Sequence, residues 1–256
     1  MFKHHGPSRS PRQNAVLAAY LALVGGFVNS AGFVLIGSFT SHVTGSVGRL
    51  ANDVASRDWS AAAGAAAMIV AFFCGSFVAS MIIESEALGS AADAYGASLA
   101  LEAFLLFGFL ATFTGGGGGD RIRSLEGATL CAAMGVQNSL VTRLSGAVIR
   151  TTHLTGVVTD LGIESARWVR WLHGRASDAW QLKPSFGATP PHRPVVARIG
   201  LLGIIAAAFT SGAIAGAAAA TKLRHWALVL PLASLVAGAA YAFASGRSVS
   251  SRRVDR

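Results

Sequence analysis

Residues 15–37 read AVLAAYLALVGGFVNSAGFVLIG, with no charged side chain in the run. A helix needs roughly 20 apolar residues to cross the hydrocarbon of a bilayer. The stretch also outruns the ~7–15-residue apolar core of a secretory signal. Although Lys3, Arg9 and Arg12 precede it, we read it as a retained first span, at about 14–36.

Working outward, five further stretches have the same character, at about 61–83, 97–114, 126–148, 196–219 and 223–245. The fourth is the weakest, because Gln137, Asn138, Thr142 and Arg143 interrupt it. Lipid offers the backbone no hydrogen-bond partners, so spanning segments of this length are helices. The expected fold is all-α: a polytopic transmembrane helical bundle of about six spans. Composition agrees. Hydrophobic residues make up 52% and charged residues 13%, against about 25% charged in a soluble domain. Mean hydropathy is +0.52.

The net charge of +9 does not point to nucleic acid, because the cations lie in tails and connections and no aromatic residues interleave them. With a cytoplasmic N-terminus, fourteen Lys and Arg fall in inside segments and six in outside segments. That bias places both termini in the cytoplasm. The expected organisation is a basic tail at 1–13, a first membrane half at 14–114 and a glycine-rich hinge at 115–125. A second half at 126–245, with a polar loop at 149–195, and a basic tail at 246–256 follow. Cys74 and Cys131 lie in apolar runs and read as small buried hydrophobes. AAAGAAA (61–67) and GAIAGAAAA (212–220) carry small residues at helical spacing, which either let helices approach closely or reflect an alanine-rich coding bias alone.

One phrase occurs twice. TSHVTGSVGRL (40–50) and TTHLTGVVTDL (151–161) align on His42 and His153, and Thr40, Thr44, Gly45 and Leu50 match Thr151, Thr155, Gly156 and Leu161. Upstream, Val28-Asn29-Ser30 resembles Gln137-Asn138-Ser139. Each half then holds a span, the phrase, a helix and two more spans. Three spans is an odd number, so the second half is inverted, giving two inverted three-span repeats. Transporters built this way place their sites where the halves meet.

Candidate solute-binding residues are therefore Asn29, His42, Thr44, Gly45, Gln137, Asn138, His153, Thr155, Gly156 and Asp160. Two readings of them stay open. The polar stripes after each histidine line a site, or they are the wet faces of helices at the membrane interface. Asn29, Gln137 and Asn138 coordinate a solute, or they join helices. Arg49 and Asp160 occupy equivalent positions with opposite charge, so a pair between the halves is conceivable. Glu102 is the candidate for a coupling proton, or it sits near the interface and reaches water. Arg143 reads as snorkelling outward. Two distant histidines lack the ligand count of a metal site. The glycines at 115–119 are not followed by Lys-Ser/Thr, so no phosphate cradle is expected, and no cofactor is expected either.

These two stretches, GGFVNSAGFVLIGSFTSHVTGSVGRLA and GVQNSLVTRLSGAVIRTTHLTGVVTDLGIE, resemble the YoaK-like family of bacterial membrane proteins, a family of unknown function loosely associated with small-molecule efflux. The resemblance covers about residues 14–245 and implies a helical protein of the bacterial cytoplasmic membrane. The family motif falls on Ser41, His42, Thr44 and Gly45. In the second half it falls on Gln137, Asn138, Arg150, Thr151, Thr152, Thr155, Gly156, Thr159, Asp160 and Gly162. Ser46 departs from the asparagine common there.

The expected function is a secondary transporter or exporter of a small solute, with the bilayer as its surroundings and no nucleic-acid partner. The alternative is a non-transporting membrane scaffold or sensor that uses the basic 149–195 loop to bind a partner or anionic lipid. No nucleophile–base pairing is visible, so an enzyme is not expected.

Overall fold

The computed structural model describes residues 11–85, 88, 90–115, 117, 119–144, 154–180 and 196–254. Among them are eight α-helices and no strands. They are α1 (Pro11–Ile36), α2 (Val43–Ala55), α3 (Trp59–Glu84), α4 (Ala91–Thr112), α5 (Gly119–Leu144), α6 (Leu154–Trp180), α7 (Val196–Leu223) and α8 (Val229–Val254). A five-residue 3-10 turn, Arg224–Leu228, joins α7 to α8.

Four stretches are long and apolar enough to cross a membrane: Ala15–Ile36, Trp59–Glu84, Ala91–Thr112 and Arg198–Gly246. The last has 49 residues, twice the length one crossing needs. It is broken at Arg224, whose φ of 54° a helix cannot accommodate. The hydropathy of α5 does not reach the same level, yet its Leu130, Met134, Val136, Gln137 and Leu140 are fully buried. Protein rather than lipid surrounds this helix, which is why it tolerates the polar residues that weaken its sequence signal. The outer helices do the reverse. Phe104 (68% exposed), Ile214 (67%) and Phe73 (65%) project from apolar stretches, as lipid-facing side chains do.

Among the described residues, α1, α3, α4, α5, α7 and α8 pack in pairs whose directions can be read from their contacts. In α1 and α7, Leu23 meets Gly212 and Phe27 meets Gly216. In α3 and α5, Ser76 donates to the Gly135 carbonyl (2.9 Å) and Ser80 bonds Ser139 (2.8 Å). Both pairs are parallel. In α4 and α8, Gly96 lies against Phe243 and Gly238 against Leu99, so that pair is antiparallel. α1 and α5 are antiparallel as well: Gly32 faces Leu130, Gly127 faces Ile36, and Gln137 donates to the Leu21 carbonyl.

Glycine sets the two parallel crossings. A Cβ on Gly26 would run into the Phe209 carbonyl and the Ala213 nitrogen, and one on Gly135 into the Phe72 carbonyl and the Ser76 nitrogen. From the facing helices, a Cβ on Gly212 would strike the Leu23 carbonyl, and one on Gly75 the Ala132 carbonyl. Backbone touches backbone at these points, as small residues at membrane crossings permit. The 212–220 small-residue run thus forms a packing face.

Several features differ from the sequence reading. The hinge is shorter than 115–125, because α5 already starts at Gly119; its polar first turns give no hydropathy signal. Residues 154–180 of the expected polar loop form α6. Cys131 is buried, but Cys74 is exposed.

Candidate functional site

α1 ends at Ile36, and Gly37 turns the chain with a φ of 71°. Residues 37–42 then fold back on α1. The amide and hydroxyl of Ser41 both donate to Asn29 Oδ1, at 3.0 Å each. Thr40 is buried behind this tie, with its methyl group against Gly32. Asn29 therefore serves its own half by anchoring the turn. Removing it leaves the Ser41 amide without an acceptor, at a cost of roughly 1–3 kcal/mol. Asn29→Ala is expected to lower the thermal midpoint in detergent by that equivalent. Asn29→Asp, which keeps the accepting oxygen, loses less.

His42 stands at the N-cap of α2 but makes no side-chain cap bond. Its ring lies over the first turn, and a Cβ on Gly45 would come within 2.8 Å of His42 Nδ1. The spacing His-x-x-Gly is thus a steric fit of imidazole to helix. On α2, Val43, Val47, Leu50 and Val54 form one apolar stripe, and no residue of the helix is buried. This is the pattern of a helix lying at an interface. On the polar side, Arg49 donates to Ser38 Oγ (2.7 Å) and lies 3.7 Å from Asp53.

Two adjoining cavities of about 160 and 230 Å3 open beside α2. They share Ser38, Arg49, Ala65 and Met68. The smaller is lined by Phe33, Phe39 and His42, the larger by Asp58, Ser60, Asp120, Arg123 and Ser124. One wall is apolar, and the other offers both signs of charge and several hydroxyls. Such a space can hold a small solute carrying polar groups on an apolar body.

α6 lies at the opposite end of the bundle, after the C-terminus of α5 and before the N-terminus of α7. There Arg198 of α7 reaches Asp160 (3.4 Å) and Glu164 (3.3 Å), and Arg167 also pairs with Glu164 (2.9 Å). At the C-terminal end of the α3/α5 pair, Arg143 pairs with Glu84. Arg143 is therefore an interhelical partner, not only a snorkelling cation.

The candidate residues consequently fall in three places. His42, Thr44 and Gly45 sit at the α2 end, with Asn29 just below them. Thr155, Gly156 and Asp160 sit at the α6 end. Gln137 is buried in the interior and Asn138 half-buried beside it, both on α5. His153 lies outside the described residues, as do Arg150, Thr151 and Thr152. Arg49 and Asp160 each bond within their own half, so the conceived pair between halves does not form. Glu102 is completely buried and does not reach water as one reading expected. Its neighbours in sequence reveal its depth along α4 but not which face it occupies.

Sequence reasoning passed over Asp58, Arg123, Glu126 and Arg198. Asp58 caps α3 by accepting from the Ala61 amide (3.0 Å), and its place just before an apolar run was the available signal. Glu126 accepts from the Thr114 amide (2.8 Å) and hydroxyl (3.1 Å), closing the α4–α5 connection. Arg198 was legible only as a cation near the start of a span.

The family model described as "Protein of unknown function (DUF1275)" matches residues 17–241. No curated protein and no solved structure matches the chain. The match spans most of the sequence, and the chain belongs to the DUF1275 family.

Proposed function

We propose that this DUF1275 member is a secondary transporter of a small solute in the bacterial cytoplasmic membrane. In this reading it has six spans, cytoplasmic termini and two inverted three-span halves. The observation that carries the reading is the match between the two glycine crossings. Gly26 and Gly135 open the similar sequences GFVNS and GVQNS on antiparallel helices. The backbone atoms they meet, at Phe209 and Ala213 and at Phe72 and Ser76, are separated by the same 137 residues in both cases. An inverted correspondence of α1–α4 with α5–α8 would account for both crossings. It also places α2 against α3 as α6 lies against α7. Halves related in this way can rock about a shared site and expose it to either side in turn.

The two ends support the same reading through their difference. Cavities open at the α2 end, while Arg198 and Arg143 tie helices together at the α6 end. One end is accessible and the other latched, as alternating access requires of a single conformation.

Two measurements test the proposal. In a background with Cys74 and Cys131 replaced, Ser46→Cys is expected to react with an impermeant thiol reagent from outside the cell. Thr159→Cys is expected to react only from the cytoplasmic side. Labelling of both from one side removes the inversion. In proteoliposomes screened with small zwitterionic and cationic solutes, flux by the wild type is expected to fall about tenfold in His42→Ala, a loss of roughly 1.4 kcal/mol. Equal flux in both removes the cavity at α2 from the pathway.

A further inference from the structure

The middle of α4 holds a group that packing alone does not explain. Glu102 has no exposed surface, and neither of its carboxyl oxygens has a hydrogen-bond partner among the described residues. The other buried glutamates are provided for: Glu126 accepts from Thr114, and Glu164 pairs with Arg167 and Arg198. Buried polar groups are ordinarily bonded. An unpaired carboxylate inside a membrane bundle marks a functional site by default.

The surroundings limit what could occupy it. From α1, the Tyr20 hydroxyl lies beside Gly238 of α8, against which Leu99, one turn before Glu102 on α4, also packs. That hydroxyl donates to the Ser234 carbonyl of α8 at 3.0 Å. α8 itself sets apolar Leu235 and Gly238 in this region, and Tyr241, the titratable group among its described side chains, is half exposed. The buried titratable group in the middle of α5 is Cys131, while Cys74 of α3 faces outward. In the 3-10 turn, His225 packs against Phe113 beyond the end of α4, and Arg224 reaches towards Gly115. Among the described residues, no cation pairs with Glu102 from any of these elements. With no counter-charge and no donor, the ligand that fits is the smallest cation, a proton held on the carboxyl itself.

We propose that Glu102 is a proton-binding site with Tyr20 as its switch partner. In this proposal the carboxyl holds the proton while it is enclosed. When helix movement admits water, the carboxyl O–H bond breaks and the proton passes to water. The Tyr20 hydroxyl then exchanges its bond to the Ser234 carbonyl for one to the Glu102 carboxylate. The exchange links α1, α4 and α8. Occupancy of the site by a proton stands independently of transport; its use as the coupling ion rests on the transporter reading above.

The test is infrared spectroscopy of the purified full-length protein in liposomes at neutral pH. The expected result is a protonated-carboxyl carbonyl band, shifted on exchange into D2O. The band is lost in Glu102→Gln, retained at a shifted position in Glu102→Asp and unchanged in Glu126→Gln. Tyr20→Phe is expected to change the pH at which the band disappears, and Tyr241→Phe to leave it in place. Absence of the band from the wild type, or its survival in Glu102→Gln, overturns the proposal. A protein that shows the band but moves no solute overturns the transporter reading alone.

Discussion

Gly26→Ala and Gly135→Ala are expected to lower the thermal midpoint of the purified protein in detergent by similar amounts, while Gly108→Ala leaves it unchanged or raises it. All three positions are in helices, so the intrinsic preference for alanine, about 1 kcal/mol, favours each substitution equally. The sign is set by what the new methyl group meets. At Gly108 it meets nothing within 4 Å. At Gly26 and Gly135 it meets a carbonyl oxygen of the facing helix, and neither backbone can rotate away as a side chain could. The helices must separate along their whole contact, which places the cost towards the upper end of the usual 1–3 kcal/mol for overpacking. Gly26→Leu and Gly135→Leu are expected to abolish folding. Equality of the two alanine variants is the sharper part of the prediction, because it follows from the equivalence of the crossings. A clearly unequal pair, with one neutral, would show that α1/α7 and α3/α5 are not the same structural unit.

The proposed equivalence was half legible in the sequence. Aligning Asn29-Ser30 with Asn138-Ser139 and His42 with His153 locates the two copies. The glycines three residues before each asparagine carry the contact, and they are visible in the same strings. What no string reveals is the partner: Phe209 and Phe72 lie in other spans, and their contribution is a backbone carbonyl that every residue possesses. The helices themselves were legible where lipid dictates composition, as in α1, α3 and α4. α5 was the weak case for a physical reason, since a helix enclosed by protein need not be apolar all round. The boundary missed at Gly119 lies where a helix continues past the apolar region into polar surroundings.

The candidate site was legible as residue types but not as an assembly. Histidine, threonine and glycine in one repeated phrase suggested a single site shared by both halves. The described residues place 40–50 and 154–161 at opposite ends of the bundle, as the proposed inversion requires. Only the interior residues, such as Gln137 and Glu102, lie between the two ends. Opposite charges at equivalent positions, Arg49 and Asp160, are therefore better understood as one difference between the two ends. Arg49 is held by Ser38 and Asp53 beside an open cavity, and Asp160 is engaged by a neighbouring span.

That engagement gives the second large effect. Arg198→Glu is expected to release α6 from α7 without unfolding the bundle. The reversed side chain would face Asp160 and Glu164, and the Glu164 side chain is only 5% exposed. Leaving a buried charge against one of the same sign costs on the order of 3–5 kcal/mol. Arg167 remains beside Glu164 and Arg198 is itself half exposed, so the loss falls at the lower end of that range. The contacts of α6 are chiefly with α7, so local opening relieves the strain at less cost than global unfolding. Hydrogen exchange should accelerate at least about a hundredfold in peptides covering 154–164, as expected for a local opening made ~3 kcal/mol easier, with little change in 59–84. Arg198→Glu combined with Glu164→Arg restores one pair and should recover part of the protection. If the single variant left exchange in α6 unaltered, Arg198 would not be holding the helix, and the contrast between an open end and a latched end would lose its basis.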